Sequence, residues 1–281
     1  MEKSKEFVEN RFKEDLSKLE SLPNEKLYFS EDPTRRHIEN VKKAFSEVFE
    51  GIRTELDVVE LFTIQKGNKK INEFAIISNG LYYLCPNLLN NNCALSHRCY
   101  GAKNERFFGV IKSRMKNYIF FAFLEYWLEN DWQKYKTILY WSIDKNQNKF
   151  TDVVRINQQS DFRNDAQLFI FNNMLRYVRR HYNSKTMFYS YSKSKLDFDL
   201  YIYCEPNFIV NESVIIQDQA ELERFAETKP HQENCYYLCL MSKDIQAKQF
   251  GLKPCKNDCE KCRQCSRYFK GSSNAKFTYL H

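Results

Sequence analysis

Glycine is scarce in this chain, with seven residues in 281, about a third of ordinary usage. None lies between Gly109 and Gly251. A Gly-rich phosphate loop, a GxGxxG turn and a Walker sequence all need glycine where backbone approaches a phosphate, and none of them is present. This argues against an ATPase or a standard dinucleotide enzyme. Histidine is also sparse, at five residues, and no Ser/His/Asp or Cys/His catalytic set assembles from them. Long apolar runs are missing too. The longest, "YIFFAFLEYWL" at 118–128, is too short to span a bilayer and contains Glu125. The opening "MEKSKEFVENRFKEDLSKLESL" is charged throughout and lacks the apolar centre of a signal peptide. These absences predict a soluble, cytoplasmic protein with no membrane partner.

The composition is that of a folded protein. Hydrophobic residues make up 43% and aromatic residues 16% of the chain, which excludes disorder. A chain of this length can bury a full core without disulfides. The net charge of +7 and pI near 8.7 are mild. They permit a phosphate or nucleic-acid ligand without demanding one.

Against this background, ten cysteines stand out. In a reducing compartment they are poor disulfide candidates, and short spacings between thiols suit soft metals. Near the end of the chain, "CKNDCEKCRQC" holds Cys255, Cys259, Cys262 and Cys265. Its CxxCxxC run can wrap an iron–sulfur cluster, with a fourth ligand from Cys255, Cys239 or Cys235. A cramped tetrahedral zinc site is the alternative. A second group, Cys85, Cys93 and Cys99, lies in "CPNLLNNNCALSHRCYGAK", with His97 as a candidate fourth ligand. Cys85 ends an expected strand, and the loops beyond strand C-termini are where α/β folds place their sites. The competing reading packs Cys85 as a small core hydrophobe.

Apolar spacing predicts helices over 5–22, after "SEDP" at 30–33, and over 104–130, with a further helix in "DWQKYKTILYWSI" and another over 164–182. Strands are expected in 71–86, broken at Asn79-Gly80, and over 150–157, 186–192, 208–216 and 235–241, with a short helix near 219–226. Alternating strands and helices predict an α/β fold, an irregular or partial βα barrel-like core around a parallel sheet. This gives an N-terminal helical extension (1–60), a core with the cysteine loop (61–230) and a cysteine-rich metal-binding tail (231–281).

Three further side chains are candidates for the site. Arg155 ends a β-rich run and Asp161 follows in the next loop. They could orient a polar or phosphorylated substrate, or simply pair with each other. Lys193 alternates with Tyr189 and Tyr191 on "YSYSK", so the three share one strand face, suited either to lining a pocket or to core packing. Arg176, Arg179 and Arg180 in "RYVRRHY" suit a helix C-terminus or a solvated face.

Taken in order, "KGNKKINEFAIISNGLYYLCPN", "CALSHRCYGAK", "VVRINQQSDF", "FYSYSKS" and "CKNDCEKCRQC" resemble the phage and mobile-element gene product 88-like family over residues 65–268. That family is distantly similar to radical SAM barrels. The resemblance implies that Cys85, Cys93 and Cys99 hold a 4Fe-4S cluster with one iron open to S-adenosylmethionine, near Tyr191, while the tail cysteines form an auxiliary centre. The loop spacing here is Cx7Cx5C instead of Cx3Cx2C. Ser160-Asp161-Phe162 replaces a Gly-Asp-Phe stretch, and Tyr191-Ser192-Lys193 replaces Tyr-Thr-Lys. The expected function is a metal-cluster protein, radical-type or redox, with Arg155, Asp161 and Lys193 as catalytic candidates and a small-molecule ligand. Two alternatives stand beside it. One is a zinc-stabilised nucleic-acid-binding or regulatory protein, and the other a scaffold or host-interaction protein whose metal only holds the tail.

Overall fold

The computed structural model describes residues 1–23, 33–67, 74–90, 105, 107–157, 160–192, 205, 207–228, 236–240, 245–246, 253–254 and 276–279. Three helical segments come first: α1 (Glu2–Ser21), α2 (Pro33–Phe49) and the short α3 (Glu55–Val59). Helix α3 starts on a capping box, in which Thr54 Oγ1 accepts from the Asp57 N–H and the Asp57 carboxylate accepts from the Thr54 N–H. Strands β1 (Gln65–Lys66) and β2 (Ala75–Ile77) follow, then α4 (Pro86–Leu89), the long α5 (Phe108–Asn130), α6 (Trp132–Lys145) and β3 (Val153–Ile156). Helix α7 (Asp165–His181), β4 (Met187–Ser192), β5 (Phe208–Ile216), α8 (Gln219–Thr228) and β6 (Tyr236–Leu240) complete the alternating part. The last two strands are β7 (Lys253–Pro254) and β8 (Lys276–Tyr279).

The strands form one eight-stranded sheet in the order β1-β2-β3-β4-β5-β6-β8-β7. Among the described residues only β1 and β2 pair antiparallel, and every other pairing is parallel. The expected mixed α/β class is therefore observed. From β2 to β6 the strands are adjacent in sequence order without reversal. Right-handed crossovers in such an order place their helices on one face of the sheet. In agreement, Ala75, Ile77, Val154, Ile156, Phe188 and Val210 join the main core with the inward sides of α5 and α7. The alternate residues Phe74, Ile76, Val153, Tyr189 and Ile209 form a separate buried cluster on the other face. Period-two alternation in a strand produces this division directly.

Over residues 118–124 helix α5 is apolar all round because it is covered all round. It packs against α1, α2, α6 and α7, and Phe120, Phe121, Phe123 and Leu124 are fully buried. Each such side chain contributes roughly 1.5–3 kcal/mol by leaving water. Val8, Phe12 and Leu19 of α1 and Val41, Phe45 and Val48 of α2 belong to this same core, with the Phe12 and Phe45 rings stacked at 3.7 Å. Among the described residues, no helix is long and apolar enough to cross a membrane.

The tail also contributes to the sheet. Strand β8 lies parallel between β6 and β7. Residues 255–275, which carry Cys255, Cys259, Cys262 and Cys265, thus leave from one strand and return on its neighbour. Those residues themselves lie outside the described ones.

Candidate active site at the C-terminal edge of the sheet

The segment after β2 is the best-anchored part of this edge. "LYYLC" at 81–85 reads as strand but is a buried turn, with Leu81, Tyr82, Tyr83 and Leu84 all inside. Its backbone is satisfied by a carboxylate instead of a ladder. Glu105, with no exposed surface, accepts from the Tyr82 N–H at 2.7 Å and the Tyr83 N–H at 3.4 Å. It also accepts from Arg114 Nη1 at 2.8 Å. Burial is the dominant influence on Glu105 and raises its pKa above the ordinary carboxylate value, with Arg114 and the two amides opposing. The same burial, reinforced by the Glu105 charge, raises the Tyr83 phenol. Asn117 of α5 ties the strand end down by donating to Ser78 O at 2.8 Å and Thr63 O at 3.0 Å.

Cys85 sits at the end of this turn, half-buried against the main core, at the N-cap of α4. The next turn of chain places Asn87 over the loop after β3. There Asp161, 5% exposed, accepts from Asn87 Nδ2 at 2.7 Å, Ser192 Oγ at 2.6 Å and the Phe162 N–H at 2.8 Å. Asp161 therefore clamps the cysteine turn to the end of β4. Asp161→Asn replaces one acceptor oxygen by a donor that faces other donors. It is expected to cost about 1–3 kcal/mol, read as a lower urea midpoint with unchanged m-value and faster exchange of the Phe162 amide.

Three loops converge here through amide side chains. Asn79 Nδ2 donates to Asp161 O at 2.9 Å and to Gln167 Oε1 at 2.6 Å. The Asn79 N–H donates to Asn157 Oδ1 at 3.3 Å. Asn157 stands just past β3 with φ 54°, a left-handed conformation that asparagine tolerates better than most residues. Gln167 Nε2 continues to Glu125 Oε1 at 2.8 Å, and Glu125 pairs with Arg11 Nη1 at 2.9 Å. Asp15 meanwhile accepts from Tyr118 Oη at 2.7 Å and pairs with Arg163.

On the sheet face away from the helices, Arg155 lies in register between Ile76 and Tyr189, with Ile209 next in the row. Its guanidinium carbon sits 5.6 Å from the centre of the Tyr191 ring. Tyr189 and Tyr191 meet edge to face at 6.0 Å. No ion pair joins Arg155 and Asp161 among the described residues. The structural pairing that their spacing allows is replaced by the clamp of Asn87 and Ser192 on Asp161.

The structure thus brings Cys85, Arg155, Asp161 and Tyr191 to one end of the sheet. Lys193, Cys93, Cys99, His97, Cys255, Cys259, Cys262 and Cys265 lie outside the described residues, as do Cys204 and Cys235. Cys239 is placed as backbone in β6, opposite Ile215 and Thr278. Among the described residues, no three His, Cys, Asp or Glu side chains gather as metal ligands. The sequence marks Asn79 as a strand break with Gly80 and gives it no place in the site, and it does not single out Asn87, Glu105, Asn157 or Gln167.

A family model described as Gene product 88 matches residues 54–268. Neither the curated proteins nor the solved structures give a match.

Proposed function

The chain belongs to the Gene product 88 family, and from that premise we propose that it is a metal-cluster protein with an enzyme-like α/β core. In this reading the sequential parallel order of β2 to β6 curls into a partial barrel, and the ligand site is its C-terminal edge. The observation that carries it is the position of Cys85. Cys85 stands half-buried at the end of the turn that follows β2, a turn fastened by Glu105 and, through Asn87, by Asp161. A metal ligand needs such a fixed backbone, and a surface thiol does not. The Cys85 donor chemistry fits a thiolate-ligated cluster.

Cys85, Cys93 and Cys99 would hold one cluster and Cys255, Cys259, Cys262 and Cys265 a second. Such clusters supply one-electron chemistry when bound, and a three-thiolate site has an open iron for S-adenosylmethionine. The chain's own side chains do the rest. Asp161 fixes the cysteine turn, while Arg155 and Tyr191 would face the ligand.

The test is anaerobic preparation with iron and acid-labile sulfide analysis, followed by EPR of the reduced protein with and without S-adenosylmethionine. The expected result is a brown protein with about four irons per cluster, from which Cys85→Ser removes one cluster and leaves the tail centre. A colourless protein carrying only zinc would overturn this reading. An EPR signal unchanged by S-adenosylmethionine would retain the redox reading and remove the radical one.

A further inference from the structure

Three polar atoms at the ends of β2 and β3 are sealed from solvent and have no hydrogen-bond partner among the described residues: Arg155 Nε, Asn157 Nδ2 and Asn79 Oδ1. Buried polar atoms are almost always paired, so three at one edge call for a physical reason. The orientation of both amides is set by their other bonds. Asn157 Oδ1 accepts from the Asn79 N–H, which leaves Nδ2 as the spare donor. Asn79 Nδ2 gives both its protons to carbonyl oxygens, which leaves Oδ1 as the spare acceptor. Both residues are 4% exposed. Arg155 is a half-buried cation with no ion pair among the described residues, and its guanidinium lies over the Tyr191 ring. Its neighbours on that face, Ile76, Val153, Tyr189 and Ile209, are apolar or aromatic and buried. An unneutralised charge in such surroundings is costly, and Asp161, the nearby acid in sequence, is engaged elsewhere.

We infer that Arg155 and Asn157 form the anion-binding subsite of this edge, and that they take the carboxylate of a small ligand. A guanidinium presents parallel N–H donors that match a carboxylate fork, and the Asn157 amide adds a neutral donor. The planar guanidinium fork matches the two coplanar oxygens of a carboxylate, and phosphate is the competing anion that the test distinguishes. Asn79 Oδ1 is then available to a donor group of the same ligand. The inference rests on the reading above only in taking this edge as the ligand side, and it needs no metal, so a cluster-free protein still answers the test.

The test uses the full chain labelled with nitrogen-15. Sodium acetate and inorganic phosphate are the probes, titrated at constant ionic strength against chloride. The reporters are the Arg155 Nε–H signal, assigned by its loss in Arg155→Met, and the Asn157 side-chain amide. Acetate should shift both signals saturably, and Arg155→Met should reduce the acetate response of the Asn157 amide at least tenfold. Phosphate acting more strongly than acetate would overturn the carboxylate assignment, and no saturable shift with either would overturn the subsite. A second readout separates ligand binding from a structural role. Ligand-free Arg155→Met should melt no lower than the wild type, because it removes a cation that has no ion pair among the described residues and keeps an apolar stem against the Tyr191 ring. A fall of more than about 3 °C would show that the guanidinium is internally satisfied, which would also overturn the inference.

Discussion

Replacing Arg114 by methionine is expected to destabilise the protein by about 3–5 kcal/mol, because it strands a buried carboxylate. Glu105 is fully enclosed, and Arg114 is its counter-charge at 2.8 Å. Methionine keeps the length and apolar stem of arginine, so packing changes little and the charge is what is lost. The effect should depend on pH in a definite direction. The folded-state pKa of Glu105 is already raised by burial. Protonation therefore favours the folded state. The Glu105 contribution to stability is fully present below the unfolded carboxylate pKa and is lost as pH rises through the folded value. Removing Arg114 takes away an influence that lowers that value, so the variant's folded pKa rises further and its loss continues to higher pH. Urea denaturation of both proteins should thus show a gap that is small near pH 4.5 and widest at pH 8. A gap independent of pH would mean that Glu105 is not the group left behind. The double variant Arg114→Met with Glu105→Gln should recover much of the loss and remove the pH dependence, since no charge remains buried.

The turn that Glu105 holds is also where sequence reading and structure part. The periods of helix and strand were legible in most of the core. The helices over 108–130 and 165–181 and the strands at 153–156, 187–192 and 208–216 fall where apolar spacing puts them. At 71–86 the same rule extends a strand well past its end. Among the described residues of this stretch 75–77 pair, and "LYYLC" is buried as a turn. Apolar spacing reports burial and does not report which group satisfies the backbone. Here the group is a carboxylate more than twenty residues along the chain. Asn79-Gly80 suggested a break, and it is one, though it opens into a turn and not a hairpin. The short strands 65–66 and 253–254 are below the length at which alternation can be seen, and 276–279 was read as part of the tail. In the candidate site, Arg155, Asp161 and Tyr191 were legible because charged and aromatic residues at strand ends are conspicuous. Asn79, Asn87 and Gln167 were not, since their role is mutual and emerges only when three loops meet. Glu125 entered the sequence argument only as a charge in an apolar run, and in the structure it is where α1 joins the site.

Arg11→Met tests that junction and should be as damaging as the loss of Arg114. Arg11 and Glu125 form a buried pair, with side-chain exposures of 8% and 5%. Glu125 Oε1 is shared with Gln167 Nε2, and Oε2 accepts from Asn164 Nδ2, the N-cap residue of α7. Gln167 in turn accepts from Asn79 at the end of β2. Without Arg11 the Glu125 carboxylate keeps two amide donors but loses its counter-ion, and about 3–5 kcal/mol should go with it. The damage should not stop at α1. A carboxylate that moves after losing its counter-ion changes what Gln167 can offer to Asn79, so amide exchange at Asn79 and Arg163 should accelerate in Arg11→Met more than at Phe120 or Leu124, which lie outside this network. Arg11→Met with Glu125→Gln removes the stranded charge while keeping an acceptor for one amide, and it should regain at least half of the lost stability. Uniform acceleration across the core, with no recovery in the double variant, would show instead that Arg11 contributes by packing over Tyr118, which it faces at 5.6 Å. The selective outcome would have a consequence for the family match. Residues 54–268 carry the matched region, yet a cation from residue 11 would be among the groups that hold its site in shape. Any shortened chain beginning at the family boundary should then lose the Asn79 contacts before it loses the sheet.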